Sequence, residues 1–169
     1  MAPFLGYLWS VARIFIKAPS GRSRFNVLGA LDAITKELIV VSNDTYINSE
    51  SIIQLLYQLA EKIPDTSIPV TLIMDNARYQ KCQVVQEAAE ILDIDLVFLP
   101  PYSPNLNLIE RLWKYVKKSC LYSKYYDTFI EFKRAISDCL DKINSECNNE
   151  IQSLLSLNFQ TFKESQIMP

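Results

Sequence analysis

Residues 96–118, LVFLPPYSPNLNLIERLWKYVKK, decide how this chain folds. They open with an apolar, β-prone run and continue into PPYSPN, which cannot be helical until its prolines are passed. From Asn107 onwards the apolar residues recur at the 3.6-residue period of an amphipathic helix. The stretch therefore predicts a strand, a turn and a helix whose first turn carries Glu110.

The same order of strand and helix occurs just upstream of this stretch. VTLIMD (70–75) is a short, continuously apolar run that ends in Asp75, as expected of a strand buried on both faces. The run DLVFLP (95–100) is expected to be buried in the same way, and residues 80–92 between the two runs have helical periodicity. This alternation is typical of an α/β layer fold with a mixed sheet.

The remaining elements follow from local patterns along the chain. Residues 25–31 and 38–41 are β-prone runs separated by a polar connection, which predicts a hairpin, and LWSVARIFIK (8–17) predicts a further strand. A helix is expected to start after Asn48 or Ser49 as the N-cap, and a long amphipathic helix is expected over 128–144.

Length and composition limit the class of protein. The 169 residues fit a single domain, 1–169, and 49% apolar with 21% charged residues is near the globular average. No apolar stretch approaches the roughly 20 residues of a membrane-spanning helix. The first residues lack the early charge and cleavage site of a secretory signal, so we expect a cytoplasmic protein without membrane contact.

The chain contains no histidine, and its four cysteines form no Cys-x-x-Cys pair. These features argue against a zinc site and remove every mechanism that uses an imidazole as the general base. We expect the cysteines to be small buried or half-buried side chains. An enzyme of this composition would depend on carboxylates, metal ions, lysine or tyrosine.

Charge is distributed unevenly although the net charge is only −2. Residues 1–31 carry four bases and no acid, residues 32–99 carry 11 acids against 4 bases, and residues 100–126 carry five bases against one acid. Two basic segments with interspersed aromatic residues suit a polyanionic partner such as DNA. A solvated helix face with core aromatics explains the same pattern, and the charge distribution alone does not separate the two interpretations.

Two acids are candidates for chemistry, and each has an ordinary structural alternative. Asp75 ends a predicted strand, where ligands of α/β sheets bind, but an aspartate there also caps turns. Glu110 can simply complement the dipole of its helix. However, Glu110 stands directly before a run of basic residues, and a carboxylate beside bound phosphate needs a cation between them. Two carboxylates that hold divalent ions are the usual arrangement for phosphodiester cleavage and transfer.

The two motifs VTLIMDNARYQKC (70–82) and LVFLPPYSPNLNLIERLWKYVKK together carry a family resemblance. They resemble the second half of the catalytic domain of D-D-E transposases in the mariner superfamily, specifically its bacterial insertion-sequence branch. Asp75 and Glu110 have 34 residues between them, the spacing of that family's second and third acids. The resemblance extends over most of the chain, including FLGYLW (4–9) and LLSLNFQTF (154–162).

This resemblance implies an RNase H-like mixed sheet flanked by helices, whose acids hold two Mg²⁺ or Mn²⁺ ions for DNA cleavage and strand transfer. Asp75 and Glu110 would be the second and third catalytic, metal-binding acids. The partners implied are transposon-end and target DNA and a second protomer. The residues expected to contact DNA are Arg111, Lys114, Lys117 and Lys118, with Arg22 and Arg24 as a second patch.

The family's first acid stands on a first strand upstream of the segment at 4–9, where this sequence begins. Asp32, near the hairpin turn, is in the wrong place to replace it. We therefore expect an N-terminally truncated domain that lacks the first strand and the helix-turn-helix region and does not cleave DNA by itself. The alternatives are an inactive fragment that binds DNA or dimerises, and half of a split transposase complemented by an N-terminal fragment. A stand-alone RNase H-like nuclease would also need a first-strand acid.

Overall fold

A computed structural model describes residues 10–13, 15, 23–63, 67–101, 103–145 and 149–159. Within these ranges the chain forms four strands, five α-helices and three shorter helical turns. The strands are β1 Asn26–Leu31, β2 Leu38–Asn43, β3 Val70–Met74 and β4 Ile94–Phe98, and the α-helices are α1 Ser49–Lys62, α2 Gln83–Ile91, α3 Leu108–Val116, α4 Phe129–Ser145 and α5 Asn149–Leu154. Arg78–Gln80 and Pro104–Leu106 are 3₁₀ turns, and Lys117–Leu121 is a π-helical turn that continues α3.

The predicted hairpin is confirmed: β1 and β2 pair antiparallel. Its turn is stabilised by Asp32, whose Oδ1 accepts hydrogen bonds from the backbone N–H groups of Ile34 at 2.6 Å and Thr35 at 2.8 Å. Lys36 completes the turn with a positive φ of 65°. Asp32 therefore acts as a turn residue.

Helix α1 is also confirmed, and its N-cap is Asn48. The Asn48 side chain accepts from the backbone N–H of Ser51, and the Ser51 hydroxyl accepts from the backbone N–H of Asn48. This reciprocal capping box satisfies two N–H groups that a helix start leaves without partners. It fixes the start of the helix directly after β2.

β3 and β4 pair in parallel, but the prediction that both are buried on both faces is wrong. Ile73 is 53% exposed and Val97 is 46% exposed, whereas Met74 and Ile94 are buried. The physical reason is the placement of the helices. α1 and α2 cover one face of this pair, while α3, α4 and α5 pack on the hairpin and leave the other face without a helix in the described part of the chain.

Two apolar cores hold these layers together, one on each face of the hairpin. The first core joins α1 and α2 to both strand pairs, and the second joins α3, α4, α5 and the π-helical turn to the hairpin. The buried members of the first are Ala30, Val41, Ile52, Leu55, Leu56, Leu59, Met74, Val85, Ala88, Ala89 and Ile94. Those of the second are Leu38, Leu108, Leu112, Val116, Cys120, Ile136, Leu140, Ile143, Ile151 and Leu155.

Asn144 of α4 joins that helix to the start of β2. Its Oδ1 accepts from the backbone N–H of Leu38, and its Nδ2 donates to the carbonyl of Leu38, both at 2.8 Å. One amide side chain therefore satisfies both backbone groups that Leu38 turns away from β1.

The strand predicted at 8–17 does not form where the structure describes that segment, since residues 10–13 and 15 have no strand geometry. Residues 8, 9, 14, 16 and 17 lie outside the described residues. No helix in the described ranges is long and apolar enough to cross a membrane.

Candidate active site

Asp75 directly follows β3 and is exposed. The backbone around it is pinned to the end of β4, because the N–H of Leu99 donates to the carbonyl of Met74 at 2.8 Å and Asn76 Nδ2 donates to the carbonyl of Leu99. The Asp75 carboxylate accepts a hydrogen bond from Asn107 Nδ2 at 3.1 Å. Parallel pairing and the packing of its neighbours thus fix the position of this carboxylate at the carboxyl end of the strand.

Glu110 lies in the first turn of α3, as predicted, and is half-buried. Asn107 caps this helix, since its Oδ1 accepts from the backbone N–H of Ile109 at 3.3 Å. The buried Leu108 and Leu112 anchor the helix in the second core. Glu110 is therefore carried on a helix start that is anchored by buried residues on either side of it.

The structure brings Asp75 and Glu110 to the wall of one cleft of about 620 Å³. Two strand edges run along this cleft, residues 27–31 of β1 and residues 70–74 of β3. Residues of α1 and α3 also line it. Among the described residues, each of β1 and β3 pairs on one side only, with β2 and β4 respectively. The cleft is therefore bordered by two strand edges, and its lining includes Asp75 and Glu110 as well as the acids Asp32 and Glu37.

The donor chemistry of this end of the cleft fits a hard divalent cation. Carboxylate oxygens are the ligands that Mg²⁺ and Mn²⁺ prefer, and Asp75 and Glu110 would supply two of them. In the described part of the chain, no three His, Cys, Asp or Glu side chains are grouped closely enough to hold a metal ion. Asp75 and Glu110 therefore make no complete three-residue metal site within the described residues.

Arg111, the first of the predicted DNA contacts, is used within the protein. Its guanidinium donates to the carbonyls of Leu154 at 3.5 Å, Ser156 at 2.8 Å and Asn158 at 2.8 Å, and it lies 5.1 Å from the centre of the Phe159 ring. Phe159 in turn lines the cleft. Arg111 thus fastens the segment after α5 to the helix that carries Glu110.

The three lysines predicted to bind DNA, Lys114, Lys117 and Lys118, are all exposed at the end of α3 and on the π-helical turn. In the second predicted patch, Arg24 lies 4.4 Å from the centre of the Tyr46 ring, and Arg22 lies outside the described residues. The lysines therefore form one accessible basic surface that begins one helical turn beyond Glu110.

Sequence reasoning missed two contributions to the site. The role of Asn107 was missed because nothing local reveals that its amide reaches Asp75, 32 residues earlier. Leu157 and Phe159 also line the cleft, although they follow Glu110 by more than 45 residues. Their approach depends on the packing of α5, for which the sequence has no short-range signal.

A known protein family matches most of this chain. Residues 12–133 match the family described as DDE superfamily endonuclease. No curated protein matches the chain.

Several solved structures share the fold at low sequence identity. The Mos1 mariner paired end complex with Mn has a TM-score of 0.57 and 15% identity, with 95% of this chain and 54% of the Mos1 chain covered. The Mos1 transposase catalytic domain with raltegravir and Mn has a TM-score of 0.56 and 13% identity, with 83% of each chain covered. The simian T-cell lymphotropic virus intasome in complex with PP2A regulatory subunit B56 gamma has a TM-score of 0.53 and 18% identity. The match covers 84% of this chain and 57% of the intasome chain.

These likenesses show that the fold is the mixed α/β, RNase H-like architecture of transposase catalytic domains. The chain spans about half the length of the Mos1 paired-end and intasome chains that it matches.

Proposed function

This chain belongs to the DDE superfamily of endonucleases, and from that membership we propose that it acts in DNA transposition through metal-dependent phosphodiester hydrolysis and strand transfer. The observation that carries the proposal is that Asp75 and Glu110 line the same cleft. The two acids come from a strand end and a helix start that Asn107 links. This pairing unites the two motifs at 70–82 and 96–118 in one site.

Asp75 and Glu110 would hold Mg²⁺ or Mn²⁺ between them and the DNA phosphate. When bound, such ions activate the attacking water or 3′-hydroxyl and stabilise the leaving oxygen. The chain's own contribution is to fix the two carboxylates at the rim of the cleft and to bind the DNA backbone. The Mos1 structures with Mn support the choice of cation by analogy of fold.

We infer that the third carboxylate comes from outside the described residues, since no third acid joins Asp75 and Glu110 within them. The cleft suggests how it is delivered. A strand laid between β1 and β3 would pair with both bordering edges and bring an acid to the end where Asp75 lies. Its source would be a complementing N-terminal fragment or a second copy of the chain.

DNA would be held by Lys114, Lys117 and Lys118, whose exposed ammonium groups neutralise phosphates. Arg24 and Arg22 would form the second patch. Arg111 remains a predicted DNA contact, but its three carbonyl partners favour a structural role. The substrates we propose are transposon ends and target DNA.

The second candidate is a module that binds DNA or dimerises without cleaving DNA. The observation that favours it is that, among the described residues, no third acid is grouped with Asp75 and Glu110 closely enough to complete a metal site. In that case the lysine surface would be functional and the metal site would not be.

The experiment measures Mn²⁺ affinity and DNA nicking by the 169-residue chain and by its Asp75→Asn and Glu110→Gln variants. We expect each variant to bind Mn²⁺ more weakly and any metal-dependent nicking to disappear. Asp32→Asn is the matched control, because an asparagine keeps the Oδ1 acceptor of the hairpin turn. Equal Mn²⁺ affinity in all four chains would refute the metal site, and unchanged DNA binding in that case would support the non-cleaving module.

A further inference from the structure

Asn107 uses both ends of its side-chain amide. The carbonyl oxygen accepts from the backbone N–H of Ile109 at 3.3 Å, and the NH₂ group donates to Asp75 Oδ1 at 3.1 Å. An amide has one acceptor and one donor end, so these two contacts also fix which way the side chain points. Asn107 thus connects the start of α3 directly to the carboxylate at the end of β3.

Asn107 is also joined to Glu110 through the backbone. The N–H of Glu110 donates to the carbonyl of Asn107 at 3.3 Å, which is the first turn of the helix. One residue therefore holds the Asp75 carboxylate with its side chain and the Glu110 backbone with its main chain.

We propose that Asn107 is a positioning residue that fixes the spacing and orientation of the Asp75 carboxylate relative to Glu110 for a shared divalent ion. This inference rests on the proposed function. The Asp75 side chain is exposed, so packing alone does not restrict its rotation. A hydrogen bond to Oδ1 restricts that rotation and leaves Oδ2 available to the cation. Residues that orient metal ligands in this way typically change metal affinity about 10- to 100-fold when they are removed.

The chemistry of the amide explains why this position suits asparagine. Aspartate and serine cap helices about as well as asparagine does. Aspartate, however, has no N–H to donate to Asp75 and would add a like charge beside it. Serine ends one bond nearer to the backbone and has a single oxygen for both contacts. Of these capping residues, asparagine best combines the cap with a donor of sufficient length.

The test compares Mn²⁺ affinity in the wild-type chain, Asn107→Ser, Asp75→Asn and the double variant. Asn107→Ser should weaken Mn²⁺ binding about 10- to 100-fold, while its thermal unfolding in a chelator stays close to that of the wild type because serine keeps the cap. In the Asp75→Asn background, the serine substitution should have no further effect. Asn105→Ser, at an exposed asparagine in the preceding 3₁₀ turn, is the matched control.

The outcomes separate this inference from the proposed function. If Asp75→Asn weakens Mn²⁺ binding and Asn107→Ser does not, the metal site stands and the positioning role is overturned. If the serine substitution costs the same affinity in both backgrounds, Asn107 does not act through Asp75, and the inference is again overturned. If no variant changes Mn²⁺ binding, the proposed function and the inference both fail. Should Asn107→Ser not fold, Asn107→Thr takes its place, because threonine also caps helices and lacks the amide donor, and the same decrease in affinity is expected.

Discussion

Gly29 in β1 lies against the indole of Trp113 in α3 so closely that a Cβ atom on Gly29 would be 3.1 Å from both Cη2 and Cζ2 of the ring. It would also be 3.2 Å from Cδ1 of Ile109. The absence of a side chain at this position lets the helix approach the hairpin backbone. Because Trp113 is three residues after Glu110, this contact helps to fix where Glu110 stands along the cleft.

Enlarging residue 29 should therefore displace α3. We expect Gly29→Val to lower the free energy of unfolding by about 1–3 kcal/mol, since extra methyl groups overpack the contact. Gly29→Ala should cost less, because about 0.5–1 kcal/mol of backbone entropy is recovered when glycine is replaced inside a strand. Urea unfolding of both variants measures the difference. A valine variant as stable as the wild type would show that Trp113 moves aside freely.

Replacing Arg111 by lysine should release the segment that follows α5. Lysine keeps the charge but cannot reach three carbonyls with a planar fork of donors. We expect stability to fall by about 2 kcal/mol, because hydrogen bonds that involve a charged group each contribute roughly 1.5–3 kcal/mol. Hydrogen exchange at residues 154–159 should accelerate, and Arg134→Lys on the exposed face of α4 should leave it unchanged.

Reversing the charges of Lys114 and Lys118 to glutamate should weaken DNA binding without changing sequence preference. The slope of log K against log salt should fall by about 0.9 for each phosphate that the protein no longer neutralises. Fluorescence anisotropy with a short duplex at several salt concentrations gives this slope. The double variant Arg134→Glu with Lys142→Glu, which makes the same charge change on α4, should have a smaller effect. Equal slopes in the two double variants would mean that the lysine surface has no specific role.

The Cys120 and Cys139 thiols should make stability depend on pH between neutral and alkaline conditions. The neighbouring Cys120 thiol, helped by Lys124 and Lys142, lowers the pKa of Cys139 from 9.0 to about 7, while Cys139 and burial raise the pKa of Cys120. Between about pH 7 and 9 the Cys139 thiol is still protonated in the unfolded chain but already ionised in the folded chain. The free energy of unfolding should therefore rise with pH over this range. Above about 9, the unfolded chain ionises Cys120 while the folded chain does not, so stability should fall.

Urea unfolding across this pH range measures the effect. Cys139→Ser should abolish the rise. Iodoacetamide at mildly alkaline pH should label Cys139 in preference to the buried Cys120, since the thiolate is the reactive form. Preferential labelling of Cys120 would contradict the assignment of the lower pKa to Cys139.

Local signals in the sequence were sufficient for the elements that they determine directly. Two β-prone runs with a polar connection between them predicted the hairpin, and Asn48 or Ser49 as the N-cap predicted the start of α1. Asp75 and Glu110 could be singled out because a strand end and a helix start are recognisable from their neighbours. Their placement on one cleft agrees with the predicted topology.

Properties that depend on distant packing could not be predicted in this way. An apolar run such as VTLIMD does not reveal whether helices cover one face of its strand or both, which is why the exposure of Ile73 was missed. The basic run after Glu110 likewise gave no sign that Arg111 would bind carbonyls 43 to 47 residues later. Both features follow from the positions of α3 and α5, which only the folded chain determines.

The amide of Asn144 has a consequence for how the protein avoids aggregation. Open strand edges recruit other strands, and β2 would offer such an edge on the side away from β1. At Leu38 that edge is already satisfied, because the Asn144 side chain imitates the N–H and C=O pattern of a neighbouring strand. An incoming strand finds no partner groups there, so addition is steered towards the β1 side of the hairpin. A single polar side chain thus favours pairing of a further strand with β1 over pairing with this end of β2.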